Sequence, residues 1–469
     1  MNSNQIDEML SSQREYLNEI RQTSHKVRIE KIRNIIDWIY VNRDQIQAAL
    51  NKDLSKPEVE TDITEIWVTI DMAQNIIKNL NSWMSPKRVP SSLPILFSKS
   101  SIEYYPKGLC LIIAPWNYPF QLSVATLLYS IAAGNCSIIK PSELTPNTSA
   151  LTSKMVKELF SPKEVSVIEG DKEVSKLLLE KPFHHIFFTG SQEVGKKVVE
   201  ASAKYLSSVT LELGGKSPVI IDKGYNLKHV SDRLITTKFI NLGQSCIAPD
   251  YVLVHKDNYS SLVQLLTDKI KYCYGDTFEK QRASNSLARI INKTQYNRLR
   301  ELITINSENI IYGGESSDED NFIAPTIMNM PVSKTEPLQN EIFGPIIPIV
   351  KYSDQEEIKN LLSQINNPLA IYIFSSKNSF IKKVKSITNS GAICINDIAA
   401  QFINHNLPFG GVMTSGQGRY HGFSGFKEFS NSRSIIVQSR LNALRFLSPP
   451  YTKNIKKLVK ATLYLYRKK

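Results

Sequence analysis

Residues 109–140 read LCLIIAPWNYPFQLSVATLLYSIAAGNCSIIK, and no charged residue stands between Lys107 and Lys140. An uncharged run of this length invites reading as a membrane span. Pro115, Asn117, Pro119 and Gly134 interrupt it, however, and its two ends differ in character. Residues 109–114 form a short apolar run of strand length, whereas 121–133 form an apolar run of helix length. Ala133-Gly134-Asn135 supplies a turn and 137–140 a further apolar run. The stretch therefore reads as a buried strand, turn and helix leading into a second strand.

The same alternation continues outward. Downstream, 147–160 reads as a helix, 165–169 as a strand, 173–180 as a helix, 186–189 as a strand and 192–203 as a helix. Strands alternating with helices of this length specify a parallel, doubly wound α/β sheet. A second series starts near Val209, with apolar runs at 218–221 and 251–255 and helical patterns at 227–242 and 258–272. It closes with apolar runs at 346–350, 371–374 and 392–395. Two such layers in one chain predict two domains with a cleft between them. Upstream, 5–50 reads as long polar-rich helices with Ile29, Ile32, Ile36 and Ile39 at helical spacing, and 61–83 as another helix. The Ser/Pro-rich stretch 88–105 reads as a loop and a protruding strand, and the Ser/Asp stretch 314–321 as a surface loop.

The chain has 469 residues and a net charge of +13. A globular composition excludes a disordered, collagenous or disulfide-stapled chain. The charge suggests nucleic acid or an anionic membrane until it is located. Beyond Glu428 stand ten cationic residues and no acidic one, leaving only +3 for residues 1–428. The excess is a C-terminal feature. At helical spacing, residues 453–467 place Ile455, Leu458, Val459, Leu463, Leu465 and Tyr466 on one side. Lys453, Lys456, Lys457, Lys460 and Arg467 fall on the other, with Pro449-Pro450 separating the segment from the body. Three readings stand: a solvated tail or a helix packed on the subunit, an interfacial helix on an anionic leaflet, and nucleic-acid binding, the weakest of the three. The segment is too short to span a bilayer. Five cysteines, an odd number with no CxxC pair, and an N-terminus without a secretory pattern point to reduced thiols in the cytoplasm. Seven histidines without HExxH spacing or a Cys/His cluster indicate no metal site.

Several short segments can carry chemistry. Asn241-Leu242-Gly243-Gln244-Ser245-Cys246 surrounds a cysteine with small residues that expose a thiol, although a buried structural cysteine reads equally from these residues alone. Leu211-Glu212-Leu213-Gly214-Gly215-Lys216 puts an acid at a strand end, as a general base or as a capping acid. Pro115-Trp116-Asn117-Tyr118-Pro119 presets an asparagine amide, as an oxyanion donor or as a turn residue. Phe188-Thr189-Gly190-Ser191-Gln192-Glu193-Val194-Gly195 ends a strand and opens a helix, where a phosphate can approach the backbone, although it is not GxGxxG. Lys140-Pro141-Ser142-Glu143 ends a strand within reach of a ribose, and Glu341-Ile342-Phe343-Gly344-Pro345 sets a second acid and an aromatic in a Gly/Pro turn.

Taken together and in this order, PWNYP, KPSE, FTGSxxVG, LELGGK, GQSC and EIFGP resemble the aldehyde dehydrogenase superfamily from about residue 10 to 447. NLGQSCIAPDYVLV, NHNLPFGGV and RYHGFSGFKEFS look most like its class 3 members, which include fatty and aromatic aldehyde dehydrogenases. The resemblance implies the fold of that family. A Rossmann-like dinucleotide-binding domain spans 1–85 and 106–208, and an α/β catalytic domain spans 209–420. A small β oligomerisation arm spans 86–105 and 421–447, and a basic tail spans 448–469. It also implies roles. Cys246 is the nucleophile, forming a thiohemiacetal and then a thioester; Glu212 is the water-activating base, and Asn117 is the oxyanion donor. Lys140, Glu143, Gly190, Ser191, Val194, Gly195, Leu213, Glu341 and Phe343 bind the cofactor, with NAD first and NADP second. The partners implied are a small aldehyde, of medium or long-chain aliphatic or aromatic type, and a second copy of the chain, the arm strands pairing across a dimer. The location implied is cytoplasmic, with peripheral contact at the inner face of a membrane through the tail. Rival readings are an enzyme that passes the thioester to coenzyme A and a catalytically dead membrane-associated scaffold. The acid at 212 argues against the first, and the trio Cys246, Glu212 and Asn117 against the second. Met413 stands where the family usually has glycine and Gln417 where methionine is common, altering a turn near the cleft.

Overall fold

Leu109–Ile113 is a strand buried along its whole length, and the helix Pro119–Ala133 that follows is buried at every position. The computed structural model describes residues 3–92, 95, 97–331, 340–363, 367–440 and 448–467. An all-apolar helix is stable only when covered on every side. Here Trp67–Met84, His25–Val41 and Pro146–Leu159 surround it, and Ile32, Ile36 and Ile39 are buried in the same core. The helix ends at Gly134, in left-handed conformation with φ 88°. A Cβ there would stand 2.4 Å from the guanidinium of Arg28. Arg28 is itself buried and donates to the carbonyls of Ala132 and Arg21 at 3.0 and 3.3 Å, so an arginine satisfies the helix's free C-terminal carbonyl.

The first sheet has six strands in the order Gly416–Gln417, Ser208–Leu213, His185–Gly190, Leu109–Ile113, Cys136–Lys140 and Val165–Val167. All pair in parallel except the first. The chain reverses direction across the sheet between Leu109–Ile113 and His185–Gly190, so this is the switch point at which doubly wound sheets bind ligands. The second sheet has seven strands, parallel apart from Ile310–Tyr312, and carries the largest apolar core. Gly214 to Ser217 lead straight from one sheet into the other, whose first strand is Pro218–Ile221. The C-terminal edge of the first sheet therefore meets the N-terminal edge of the second, and the cleft lies between these edges.

Four features differ from the sequence-based expectation. The catalytic domain was expected from residue 209, but Ser208–Leu213 hydrogen-bonds along His185–Gly190 and completes the first sheet, so Glu212 is carried by that sheet. Residues 61–83, expected as one helix, divide into Glu58–Thr61, a π-helical turn at Asp62–Ile66 and Trp67–Met84, and the wide turn buries Glu65 and Ile66. The helix expected over 227–242 ends at Phe239, because Asn241 and Leu242 take left-handed backbone. The arm strands, expected to pair across a dimer, pair with each other in one chain. Ser430–Val437 runs antiparallel to Lys99–Pro106, whose other edge takes Lys87–Val89. Residues 441–447 of the expected arm, and the tail's Lys468 and Lys469, lie outside the described residues.

The tail forms the helix Lys453–Arg467. Leu458, Val459, Leu463 and Tyr466 are 39–66 % exposed, so among the described residues much of its apolar side is open. No described helix is long and apolar enough to cross a membrane.

The turn 413–416 ends in the short strand that pairs with Leu211 and Glu212. Met413 sits there at φ 52°, 75 % exposed, where the Gly416 N–H donating to its carbonyl at 3.2 Å and an Asn367 amide contact to its sulfur at 3.6 Å offset a backbone that favours glycine. Replacing Met413 by glycine is expected to raise the free energy of unfolding by about 1 kcal/mol. Urea denaturation checks this; a lower midpoint would show that the Asn367 contact outweighs the strain.

Candidate active site

Two cavities meet at the cleft. The smaller, of about 270 Å³, is overwhelmingly apolar, with Trp67, Leu122, Ile240, Ile398, Phe402 and Phe409 among its walls. The larger, of about 540 Å³, runs past Trp116, Gly190, Ser191, Gly214, Glu341 and Phe343. Leu122, Thr189, Glu212 and Cys246 line both, so the thiol and the carboxylate stand where one cavity opens into the other. Of the residues singled out from sequence, Asn117, Gly190, Ser191, Glu212, Leu213, Cys246, Glu341 and Phe343 line the larger cavity together. Lys140, Glu143, Val194 and Gly195 do not line it. Lys140 ends the strand next to the one leading into Asn117 and pairs with Glu143 at 2.7 Å. Gly195 packs under Leu213, whose Cδ2 would be 2.8 Å from a Cβ at that position.

The loop that delivers Cys246 is strained. Asn241, Leu242 and Gly243 have φ of 51°, 51° and 79°. Left-handed backbone in a non-glycine residue costs on the order of 1–3 kcal/mol, so the surroundings must hold it. The Asn241 N–H donates to Glu60 at 2.8 Å, and its side-chain amide donates to the Asn117 carbonyl at 2.8 Å. Gln244 donates to the Arg289 carbonyl at 2.9 Å and accepts from the Ile291 N–H at 3.0 Å. A Cβ at Gly243 would stand 2.4 Å from the Gly344 carbonyl oxygen, so that position requires glycine. Elements from both domains thus fix one turn. Burial pushes the Glu60 carboxyl up to about 7, against the opposing Asn241 N–H and Lys56.

Electrostatics at the junction favour neutral groups at rest. Burial, reinforced by Glu341 and Glu212, raises the Cys246 thiol well above the ordinary thiol range, while the N–H groups of Cys246 and Ile247 pull the other way. Burial also holds the Glu212 carboxyl well above the usual carboxylate range, Arg419 opposing and Glu428 adding. Neither Glu212 oxygen has a hydrogen-bond partner among the described residues. A buried carboxyl with no partner is costly, and its free acceptors suit a water in the junction. The Asn117 amide donates to the Gln244 carbonyl at 3.1 Å with one N–H, leaving the other for an oxyanion.

The larger cavity suits a dinucleotide. Gly190-Ser191 opens the helix Gln192–Ser202, whose first residues Gln192 and Glu193 line the cavity at the helix's positive end, with Ser191 accepting from Val194 as its cap. Gly214 faces Glu341, where a Cβ would collide with the carboxylate at 1.9 Å. Glu341 is half-buried and is pushed up to about 8 by desolvation and by Asp250, with the Gly215 N–H, Lys216 and Arg298 opposing. Lys216 in turn pairs with buried Asp250, and Asp250 accepts from the Ile342 N–H at 2.8 Å. Phe343, at φ 50°, meets Trp116 edge-on at 5.3 Å. Among the described residues no group of three or more His, Cys, Asp or Glu side chains could hold a metal ion.

Residues that carried no signal in the sequence include Glu60, Lys56, Glu65 and Arg298. Arg298 lines the larger cavity and donates to the Ile342 carbonyl at 2.6 Å. Gln244, inside the GQSC motif, was legible in hindsight as a polar residue beside a candidate nucleophile.

Comparison with known proteins gives a family and a fold. Residues 1–435 match the model of the aldehyde dehydrogenase family. The chain is 38% identical to the 4,4'-diaponeurosporen-aldehyde dehydrogenase of Staphylococcus aureus, covering 96% of this chain and 97% of that protein. It is 37% identical to aldehyde dehydrogenase family 3 member B1 of Rattus norvegicus, covering 97% of each. A solved structure titled as the substrate-bound state of Staphylococcus aureus AldH superimposes with a TM-score of 0.93 at 38% identity, covering 98% of this chain and 99% of that one.

The half-buried position of Cys246, beside Glu341 and Glu212, has a direct readout. Its alkylation by iodoacetamide, followed by mass spectrometry of the modified peptide, is expected to keep accelerating above about pH 9, beyond the titration of a free thiol. A plateau at the free-thiol value would contradict the burial.

Proposed function

The chain belongs to the aldehyde dehydrogenase family, and we propose that it oxidises medium or long-chain aliphatic or aromatic aldehydes to carboxylic acids through Cys246. The observation that carries this reading is the shared wall. Cys246 and Glu212 face an apolar cavity on one side and a glycine-lined cavity with a helix N-terminus on the other. An apolar aldehyde enters from the first, its chain desolvated against Trp67, Phe402 and Phe409. The Cys246 thiol passes its proton to the Glu212 carboxylate, which returns it to solvent, and the sulfur attacks the carbonyl carbon. The resulting oxyanion accepts from the free Asn117 N–H and the Cys246 backbone N–H. A nicotinamide dinucleotide in the larger cavity, NAD first and NADP second, supplies the hydride acceptor that turns the thiohemiacetal into a thioester. Gly190, Ser191 and Leu213 would hold it together with Glu341 and Phe343, while Lys140, Glu143, Val194 and Gly195 shape the end toward the adenosine. An acid at 143 disfavours a 2′-phosphate by repulsion. Glu212, as carboxylate, takes a proton from the water that cleaves the thioester, releasing the acid and restoring the thiol. A water-activating base at this position favours hydrolysis over transfer to coenzyme A.

The raised Glu212 carboxyl gives the sign of the pH dependence. Its base form is populated only above a raised pKa, so turnover rises with pH above the ordinary carboxylate range. Glu212→Gln is expected to lower kcat by about 10²–10⁴-fold and to flatten that rise. Cys246→Ala is expected to abolish NADH formation from decanal, measured by absorbance. Undiminished NADH formation by Cys246→Ala would overturn the catalytic assignment, and a product that appears only with coenzyme A would favour the acylating alternative.

A second observation bears on place. The tail helix presents an exposed apolar side and a lysine-rich side, the pattern of a helix lying in an anionic interface, and supports a cytoplasmic enzyme held peripherally at the inner face of a membrane. The exposed strand Ser430–Val437 offers an edge for pairing two copies into a homodimer. Co-sedimentation with anionic vesicles is expected for the full chain and lost in a 1–447 truncation. Equal sedimentation of the two would rule out the tail as the contact.

A further inference from the structure

Lys56 and Glu65 form an ion pair at 2.6 Å with both side chains fully buried. Burying two charges is costly unless every remaining donor and acceptor is used. Here the pair closes on one short segment. The Lys56 ammonium donates to the Asn117 carbonyl at 3.3 Å and lies 4.2 Å from the centroid of the Tyr118 ring. The second Glu65 oxygen accepts from the Gln121 N–H at 2.8 Å. Gln121 is the third residue of the helix Pro119–Ala133, one of the positions whose N–H has no partner within the helix. A cation therefore holds the carbonyl at one end of the segment 117–121, and an anion holds the amide at the other.

Both charges are themselves fixed. Lys56 follows a left-handed Ser55 that ends the helix Arg43–Leu54, and its carbonyl accepts from the Asn51 side chain at 3.4 Å. Glu65 sits in the π-helical turn Asp62–Ile66, whose extra residue per turn buries Glu65 and Ile66 together. The Asn117 carbonyl also accepts from the Asn241 side chain at 2.8 Å, so the same oxygen is shared with the turn that carries Cys246.

We propose that Lys56 and Glu65 are positioning residues for the oxyanion donor. By clamping the Asn117 carbonyl and the Gln121 N–H they fix the peptide planes of 117–121 and aim the free Asn117 N–H at the carbonyl oxygen of the aldehyde. This rests on the assignment of Asn117 made above. Neither residue is placed against the substrate, since neither lines either cavity.

Removing one partner would strand a buried charge, so the test removes both charges in Lys56→Met/Glu65→Gln. Asn117→Ala and the triple variant complete the cycle. Turnover of decanal with NAD gives kcat, and iodoacetamide gives the reactivity of Cys246, which needs no oxyanion donor. Asn117→Ala and the double variant are each expected to lower kcat by about 10²-fold. The triple variant is expected to be no slower than Asn117→Ala, and alkylation of Cys246 to stay within about 3-fold of wild type, because groups acting as a unit are not additive. Losses that multiply in the triple variant, or a double variant with wild-type kcat, would overturn the proposal. A wild-type kcat in Asn117→Ala would instead overturn the oxyanion assignment itself. If the double variant does not fold, Glu65→Asp keeps the charge opposite Lys56 while drawing the carboxylate back from the Gln121 N–H. It is then expected to lower kcat in the wild-type background and to have no effect in the Asn117→Ala background; an effect of equal size in both would overturn the proposal.

Discussion

Three consecutive left-handed residues, Asn241 to Gly243, put Cys246 where it is, and the rest of the site is arranged to hold them there. Such a turn does not persist on its own. It is held from the N-terminal helices by Glu60, from the first sheet by the Asn117 carbonyl and from the second domain by the Arg289 carbonyl and the Ile291 N–H. The nucleophile therefore has its position only when both domains and the N-terminal layer are in place. The buried Lys56–Glu65 pair meets the same carbonyl oxygen, so the Asn117 segment and the turn that carries Cys246 share one anchor.

The two edges that form the cleft divide the chemistry. The C-terminal edge of the first sheet supplies Asn117, Gly190 and Glu212, and the loops entering the second domain's strands supply Cys246, Glu341 and Phe343. Because the thiol and the carboxyl are both raised by burial, the resting junction carries little charge and does not repel an apolar aldehyde. Charge develops there during reaction, when the amide and backbone N–H groups are already aimed. The excess positive charge of the chain lies beyond Glu428, half of it on an exposed C-terminal helix that lines neither cavity.

The groups gathered around the larger cavity were legible because each sits in a contiguous motif. Cys246, Glu212 and Asn117 each follow or end a short apolar strand or helix, flanked by Gly or Pro, and periodicity locates those elements. What holds these groups was not legible. Lys56 and Glu65 read as ordinary charges in a polar helical region, because burial arises only when residues 117–121 fold over them. The left-handed conformation of Asn241 and Leu242 has no local signature, since tertiary hydrogen bonds impose it against intrinsic preference. The place of Ser208–Leu213 in the first sheet depends on long-range pairing with His185–Gly190, which alternation of strands and helices cannot distinguish from the start of a new sheet. Met413 shows the reverse case: a departure from glycine seen in the sequence acquires its physical meaning from a φ of 52°.

The central claim is that Cys246 carries the acyl group at the junction of an apolar and a dinucleotide cavity while Glu212 is needed to release it. Intact-protein and peptide mass spectrometry of Glu212→Gln, mixed with decanal and NAD and quenched in acid, tests this most directly. The account predicts an added decanoyl group confined to the peptide containing Cys246, absent when NAD is omitted. An unmodified Cys246, or acylation at another residue, would contradict it.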